Sequence, residues 1–198
     1  MKRCIFAVVA FFLAGVPSLR SQGTEPTRYT IENLGSFAGQ VPTVTGINAS
    51  GQVSGVVGGG SHAVRYTPGV GWVDFPALGF FSVANGINDA GDLVGYRFAP
   101  AGLRAFRYRD GAGVQDIAPL PGGTMTLGFA INAAGDVVGQ SSAGGVSRAF
   151  RASPPLAAVE LPNLGGTFAT ACGINDAGQV VGQATTASGV GTASTVWL

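Results

Sequence analysis

Along most of the chain apolar and polar residues alternate with a period of two, in short runs bounded by Gly, Pro, Asn and Asp. That period points alternate side chains to opposite faces of an extended strand. Four kinds of run recur in a fixed order. The first kind comprises Tyr29–Leu34, Trp72–Leu78, Val114–Leu120 and Ala158–Leu164. The second runs into an Ile-Asn pair: Pro42–Asn48, Ser82–Asn88, Leu127–Asn132 and Ala169–Asn175. The third leaves it, as Gln52–Val57, Asp92–Arg97, Asp136–Ser141 and Gln179–Ala184. The fourth is His62–Tyr66, Arg104–Tyr108, Arg148–Ala152 and, loosely, Ser194–Leu198. No stretch beyond the N-terminal segment shows a helical period, so the chain is expected to be all-β.

The asparagines that close the second runs, Asn48, Asn88, Asn132 and Asn175, stand 40, 44 and 43 residues apart. Each opens a stretch such as Asn88-Asp89-Ala90-Gly91. Asn suits the first position of a type I turn, where its side chain can bond an amide two residues on. Gly at the fourth position takes the left-handed conformation of a tight hairpin without steric cost. Four strands in such a period, repeated, match a β-propeller blade. The expected fold is therefore a set of tandem four-stranded repeats forming a small four-blade β-propeller or part of one. The first run would complete a blade shared with the C-terminal strands, placing Trp197 beside Asn33. A β-solenoid-like stack, or a shortened chain that pairs with a second copy as a homodimer, stays open. Ala63, Ala105 and Ala149 would allow close approach between blades.

Charge adds a second regularity. Arg65, Arg107 and Arg151 precede Asp74, Asp116 and Glu160 by nine residues each, around the turns Pro68–Gly71, Asp110–Gly113 and Pro154–Ala157. In hairpins centred on those turns the two members of a pair would stand opposite one another. Only 21 formal charges occur in 198 residues, 11 basic and 10 acidic, with 33 glycines and 46% hydrophobic residues. That content is too apolar for a disordered chain. The net charge of +1 gives no footprint for nucleic acid.

The N-terminal segment reads differently. Lys2 and Arg3 precede an apolar run from Cys4 to Val16, too short to span a bilayer and suited to a secretory signal. Residues 1–21 are expected to be a cleaved signal peptide and 22–28 a linker. The repeat domain then covers 29–198, in a secreted or periplasmic protein without a membrane anchor. Cleavage removes Cys4 and leaves Cys172 alone, read here as a buried, inert thiol in an apolar strand.

The tripeptides His62-Ala-Val, Arg104-Ala-Phe and Arg148-Ala-Phe occur with the Gly-Ile-Asn-x-x-Gly-x-Val-x-Gly signature and with Leu164-Gly165-Gly166. Together they resemble the bacterial HAF-family extracellular repeats over about residues 29 to 198. The resemblance implies an exported bacterial protein of tandem repeats and brings no biochemical activity with it.

Candidate chemistry is sparse. One His and one Cys beyond the leader assemble no zinc or copper site, and the acids of Asn88–Asp92 give way to Ala49, Ala133 and Gln179 at corresponding positions, so no calcium cage of oxygen ligands is evident. No metal, cofactor or catalytic residue is expected. Function in a repeat protein is sought where one unit departs from the others. Tyr96 and Arg97, followed by Phe98, replace small residues in the second unit, and Trp72 and His62 are also singular. These four are the candidate binding residues. They suit an interaction module for an extracellular protein or glycan, with a carbohydrate-binding or carbohydrate-active propeller as the alternative.

Overall fold

The computed structural model describes residues 29–59, 62–189 and 191–198. The expected signal peptide and linker lie outside the described residues. Packing divides the chain into Met1–Asn33 and Leu34–Leu198. Of the first unit, residues 29–33 form no strand, and Tyr29 and Ile31 are exposed.

Among the described residues the second unit contains fifteen strands in four antiparallel sheets. The first sheet is β1 (Thr43–Ile47), β2 (Val53–Val57), β3 (His62–Thr67) and β4 (Gly71–Asp74), in that order. The second holds β5 (Ser82–Ile87), β6 (Leu93–Ala99), β7 (Gly102–Arg109) and β8 (Gly113–Ile117). The third holds β9 (Met125–Ile131), β10 (Val137–Ala143), β11 (Val146–Ser153) and β12 (Ala157–Glu160). The fourth has three strands, β13 (Gly165–Ile174), β14 (Val180–Thr186) and β15 (Thr192–Trp197). Each sheet is a meander, and each begins at the run that leads into an Ile-Asn pair.

Two strand expectations need correction. Tyr29–Leu34 is not a strand. Its siblings each follow a hairpin turn from a run of the fourth kind, which supplies a pairing strand, whereas the sequence before Tyr29 carries no copy of that run. The siblings are also shorter than expected. They end at Asp74, Ile117 and Glu160, just before Pro76, Pro119 and Pro162. A prolyl nitrogen has no hydrogen to donate to a ladder, so pairing stops there.

The core lies between successive sheets. Ala63, Phe75, Leu78, Ala84, Leu93 and Phe106 join the first to the second. Val94, Ile117, Leu120, Val137, Phe150 and Leu156 are among those joining the second to the third. Val138, Ala149, Ala169, Ala171, Val180 and Ala184 join the third to the fourth. Phe106 and Phe150 are fully enclosed, each contributing roughly 1.5–3 kcal/mol by burial. The three alanines marked for close approach, Ala63, Ala105 and Ala149, are all buried in these layers. Two of them present their amides to the next sheet, Ala63 N–H to Ser82 Oγ (3.1 Å) and Ala105 N–H to Thr126 Oγ1 (2.9 Å).

The first strand of every sheet is bulged at the same place. Thr45, Asn85, Phe129 and Cys172 are the extra residues in β1, β5, β9 and β13. Opposite them stand Gly55, Gly95, Gly139 and Gly182, the last glycines of the recurring signature. A Cβ on Gly95 would sit 1.7 Å from the Val83 carbonyl oxygen, so glycine is there for want of space. Cys172 occupies a bulge and is exposed, not buried as its apolar neighbours suggested. A bulge turns one residue out of the alternation that the sequence pattern assumes.

Candidate functional site

The four recurring turns have one geometry. Gly51, Gly91, Gly135 and Gly178 have φ between 74° and 84°, and each donates its N–H to the carbonyl of the turn asparagine at 2.9–3.0 Å. Each asparagine Oδ1 also accepts the amide four residues on, at 2.9 Å. These are hairpin instructions, as the turn chemistry implies. The side-chain amides do something more. Asn48 Nδ2 donates to Asn88 O (3.0 Å), Asn88 Nδ2 to Asn132 O (3.0 Å) and Asn132 Nδ2 to Asn175 O (3.2 Å). A ladder of asparagines thus links all four repeats, its first three members buried. Asp89 and Asp176 reach back to the Ala49 and Ala133 amides of the preceding turns, each at 2.8 Å.

The arginines serve the same joints. The register differs from the expected one by a residue: Asp74, Asp116 and Glu160 face Val64, Phe106 and Phe150. The hairpin loops between the last paired residues are three residues long, as Thr67 pairing with Gly71 shows, so the Arg–acid pairs across these hairpins do not form. Arg65, Arg107 and Arg151 instead donate Nη1 to the turn-glycine carbonyls of the next repeat, Gly91, Gly135 and Gly178, at 2.8, 3.4 and 3.3 Å.

Most carboxylates are engaged. Asp110 accepts from Arg65 at 2.8 Å, Asp92 from Arg109 at 2.6 Å and Asp116 from Arg97 at 2.7 and 2.8 Å. Glu160 pairs with Arg148 at 3.2 Å and Asp136 with Arg151 at 2.7 Å. Burial pushes the Asp136 carboxyl up, but hydrogen bonds from Ser153, Asn132 and Arg151 outweigh it and hold the group below the usual carboxylate range. Among the described residues no three His, Cys, Asp or Glu side chains converge as a metal site would require.

The departures from the repeat are more informative. Tyr96 and Phe98, two apart on β6, project to one face. There they meet Phe80 and Phe81 from the loop between β4 and β5. Phe81 lies 6.1 Å from Tyr96 and 5.3 Å, edge-on, from Phe98. Phe80 lies 6.0 Å from Phe98 with only 7° between the ring planes. Phe80 is 77% exposed and Phe98 47%, so two stacked rings face solvent. In the third sheet Ser142 stands where Phe98 does, and the loop Leu120–Gly123 has no aromatic residue. A cavity of about 210 Å³ occurs there instead, lined by Gly122, Ser141, Ser142 and the Arg148–Glu160 pair. That is below the usual volume for a small-molecule site.

Of the four candidate residues, only Tyr96 belongs to this cluster. Arg97 points to the other face of β6 and is held by Asp116. Trp72 is engaged within the first sheet, its ring 5.5 Å from Tyr66 and its Nε1 donating to Leu34 O at 2.9 Å. His62 begins β3, exposed and opposite Val57. The sequence reading missed Phe80 and Phe81. Their signal was an adjacent Phe pair in a loop whose counterpart in the third unit is Gly122-Gly123.

No known protein family and no curated protein matches the chain.

Proposed function

We propose that this is an exported, non-enzymatic interaction module: four propeller blades of the HAF-repeat kind that present the aromatic cluster of the second blade to an extracellular protein. The blade reading is supported by consecutive meander sheets that each pack on the next through their first strand. Export is read from Lys2, Arg3 and the apolar run after them. The observation that carries the functional reading is the solvent-facing stack of Phe80 on Phe98, backed by Phe81 and Tyr96. Solvent-facing aromatic clusters are costly to leave uncovered and are the anchors of protein interfaces. The engagement of Asp92, Asp110, Asp116, Asp136 and Glu160 in ion pairs speaks for binding over catalysis.

Selection of a displayed peptide library on the immobilised chain tests this. Peptides rich in apolar side chains should emerge, and Phe80→Ala or Phe98→Ala should weaken them at least about tenfold with the melting temperature little changed. Selected peptides that bind both the Phe80→Ala and the Phe98→Ala variant as well as the parent would falsify the reading. The parallel faces of Phe80 and Phe98 also favour a second reading, stacking on pyranose rings. Signal on a glycan array that Phe80→Ala abolishes, without peptide enrichment, would move the assignment there.

A further inference from the structure

Every joint between sheets is built from two halves, and one copy of each half is left uncovered. Within the chain, the donating half offers a turn asparagine and the third-strand face of one sheet. The accepting half offers the first strand and turn carbonyl of the next. At the fourth sheet the donating half is open. Asn175 Nδ2 reaches its own Gln179 (2.8 Å), as Asn48 reaches Gln52, but among the described residues it makes no bond to a further repeat. Val181 occupies the position of Val94 and Val138, which are fully buried inside the chain, yet it is 49% exposed. Val181, Val196, Ile174 and Asn175 line an open groove of about 370 Å³. The arginine position of the earlier joints is held by Val196, paired with Val181 as Arg107 is with Val94. Trp197, the next residue, pairs with Val180.

At the first sheet the accepting half is open. Val44 stands where Ala84 and Ala171 are fully buried, and it is 58% exposed. Ile47 stands where Ile87, Ile131 and Ile174 are partly covered, and it is 70% exposed. The Asn48 carbonyl accepts its own Gly51 amide and, among the described residues, no asparagine from another repeat. The two open halves hold the repeat positions of halves that fit each other three times within the chain, with Val196 in place of the joint arginine and Val44 in place of a buried alanine.

We propose that the fourth sheet of one chain docks on the first sheet of a second copy, head to tail, through these halves. Asn175 donates to Asn48 O of the second copy and extends the ladder, and Val181 and Val196 pack against the second copy's Val44 and Ile47. A fourth strand for the three-stranded sheet is supplied in the same event. The run at 29–34 precedes β1 as β4, β8 and β12 precede β5, β9 and β13, and it adds beside β15 of the neighbouring chain. This arrangement also covers Cys172. By repeat position it faces the second copy's Val44, as Thr45 bonds Ala84 O (2.8 Å) and Asn85 bonds Gly128 O (2.7 Å). Such a heterologous contact closes into a ring of two chains or continues as a filament. It is independent of the aromatic cluster on the second sheet.

Light scattering after size exclusion, with maleimide labelling of Cys172 under reducing conditions, tests the proposal on the chain itself. At tens of micromolar the mass should be at least twice that of one chain, and Cys172 should label at least about tenfold more slowly than on dilution. Ile47→Asp, at an exposed site, should restore monomers and fast labelling without changing the circular dichroism spectrum. Phe80→Ala should leave the assembly intact. A monomer at every concentration overturns the proposal, and so does a monomer with protected Cys172, which would indicate closure within one chain. An assembly that survives Ile47→Asp with Cys172 still freely labelled overturns it as well.

Discussion

Asn88 holds its own turn with Oδ1 and the next repeat with Nδ2. Oδ1 accepts the Ala90 and Asp92 amides at 3.1 and 2.9 Å, and Nδ2 donates to Asn132 O at 3.0 Å. The turn part was legible in the sequence, because Asn at the first position and Gly at the fourth specify a local conformation. The ladder part was not, since spacing alone does not say which carbonyl a side-chain amide meets. Loss of a buried polar partner costs more than an exposed one, because the group left behind has no water to turn to. Asn88→Ala should therefore destabilise the chain by about 2–3 kcal/mol in urea unfolding. Measured on Ile47→Asp, so that no second copy is docked, Asn175→Ala at its exposed turn, which makes no bond to a further repeat among the described residues, should cost about 1 kcal/mol or less. Equal losses at the two sites would remove the ladder as a source of stability.

The strands show where pattern reading succeeds and where it stops. Alternation and turn residues locate β5–β8 and β9–β12 closely, because both are local properties of the backbone. The register of β3 on β4 is set by a loop one residue shorter than expected, and alternation cannot report that. The bulges at Thr45, Asn85, Phe129 and Cys172 likewise leave no trace in hydropathy. They do leave one in composition: a glycine faces each bulge. Gly95→Ala would place Cβ 1.7 Å from Val83 O, a backbone atom that cannot move without breaking the β5–β6 pairing. Gly111 has a left-handed φ of 78°, but nothing lies within 4 Å of the point where a Cβ would sit. Thermal unfolding should show Gly111→Ala lowered by the equivalent of about 1 kcal/mol, from backbone strain alone. Gly95→Ala should lose about 3 kcal/mol or more through overpacking. A Gly95→Ala chain as stable as the parent would mean that the bulge relaxes freely.

Stability in a chain of repeats is a sum of each unit and its joints with neighbours, so the units at the two ends lack one joint each. The second and third sheets have neighbours on both sides, and their strands β6, β7, β10 and β11 hold the fully buried Val94, Phe106, Val137, Val138 and Phe150. The fourth sheet has one neighbour and three strands, and its last strand is half exposed along its length. The repeated period made this division foreseeable. Amide exchange then has a definite order. Measured on Ile47→Asp, so that no second copy covers the ends, β15 should exchange first and β1 next. The amides of β6, β7, β10 and β11 should exchange last, at the rate of global unfolding. If β15 is as protected as β10, its outer edge is covered by some part of its own chain, and the fourth sheet is complete without a partner.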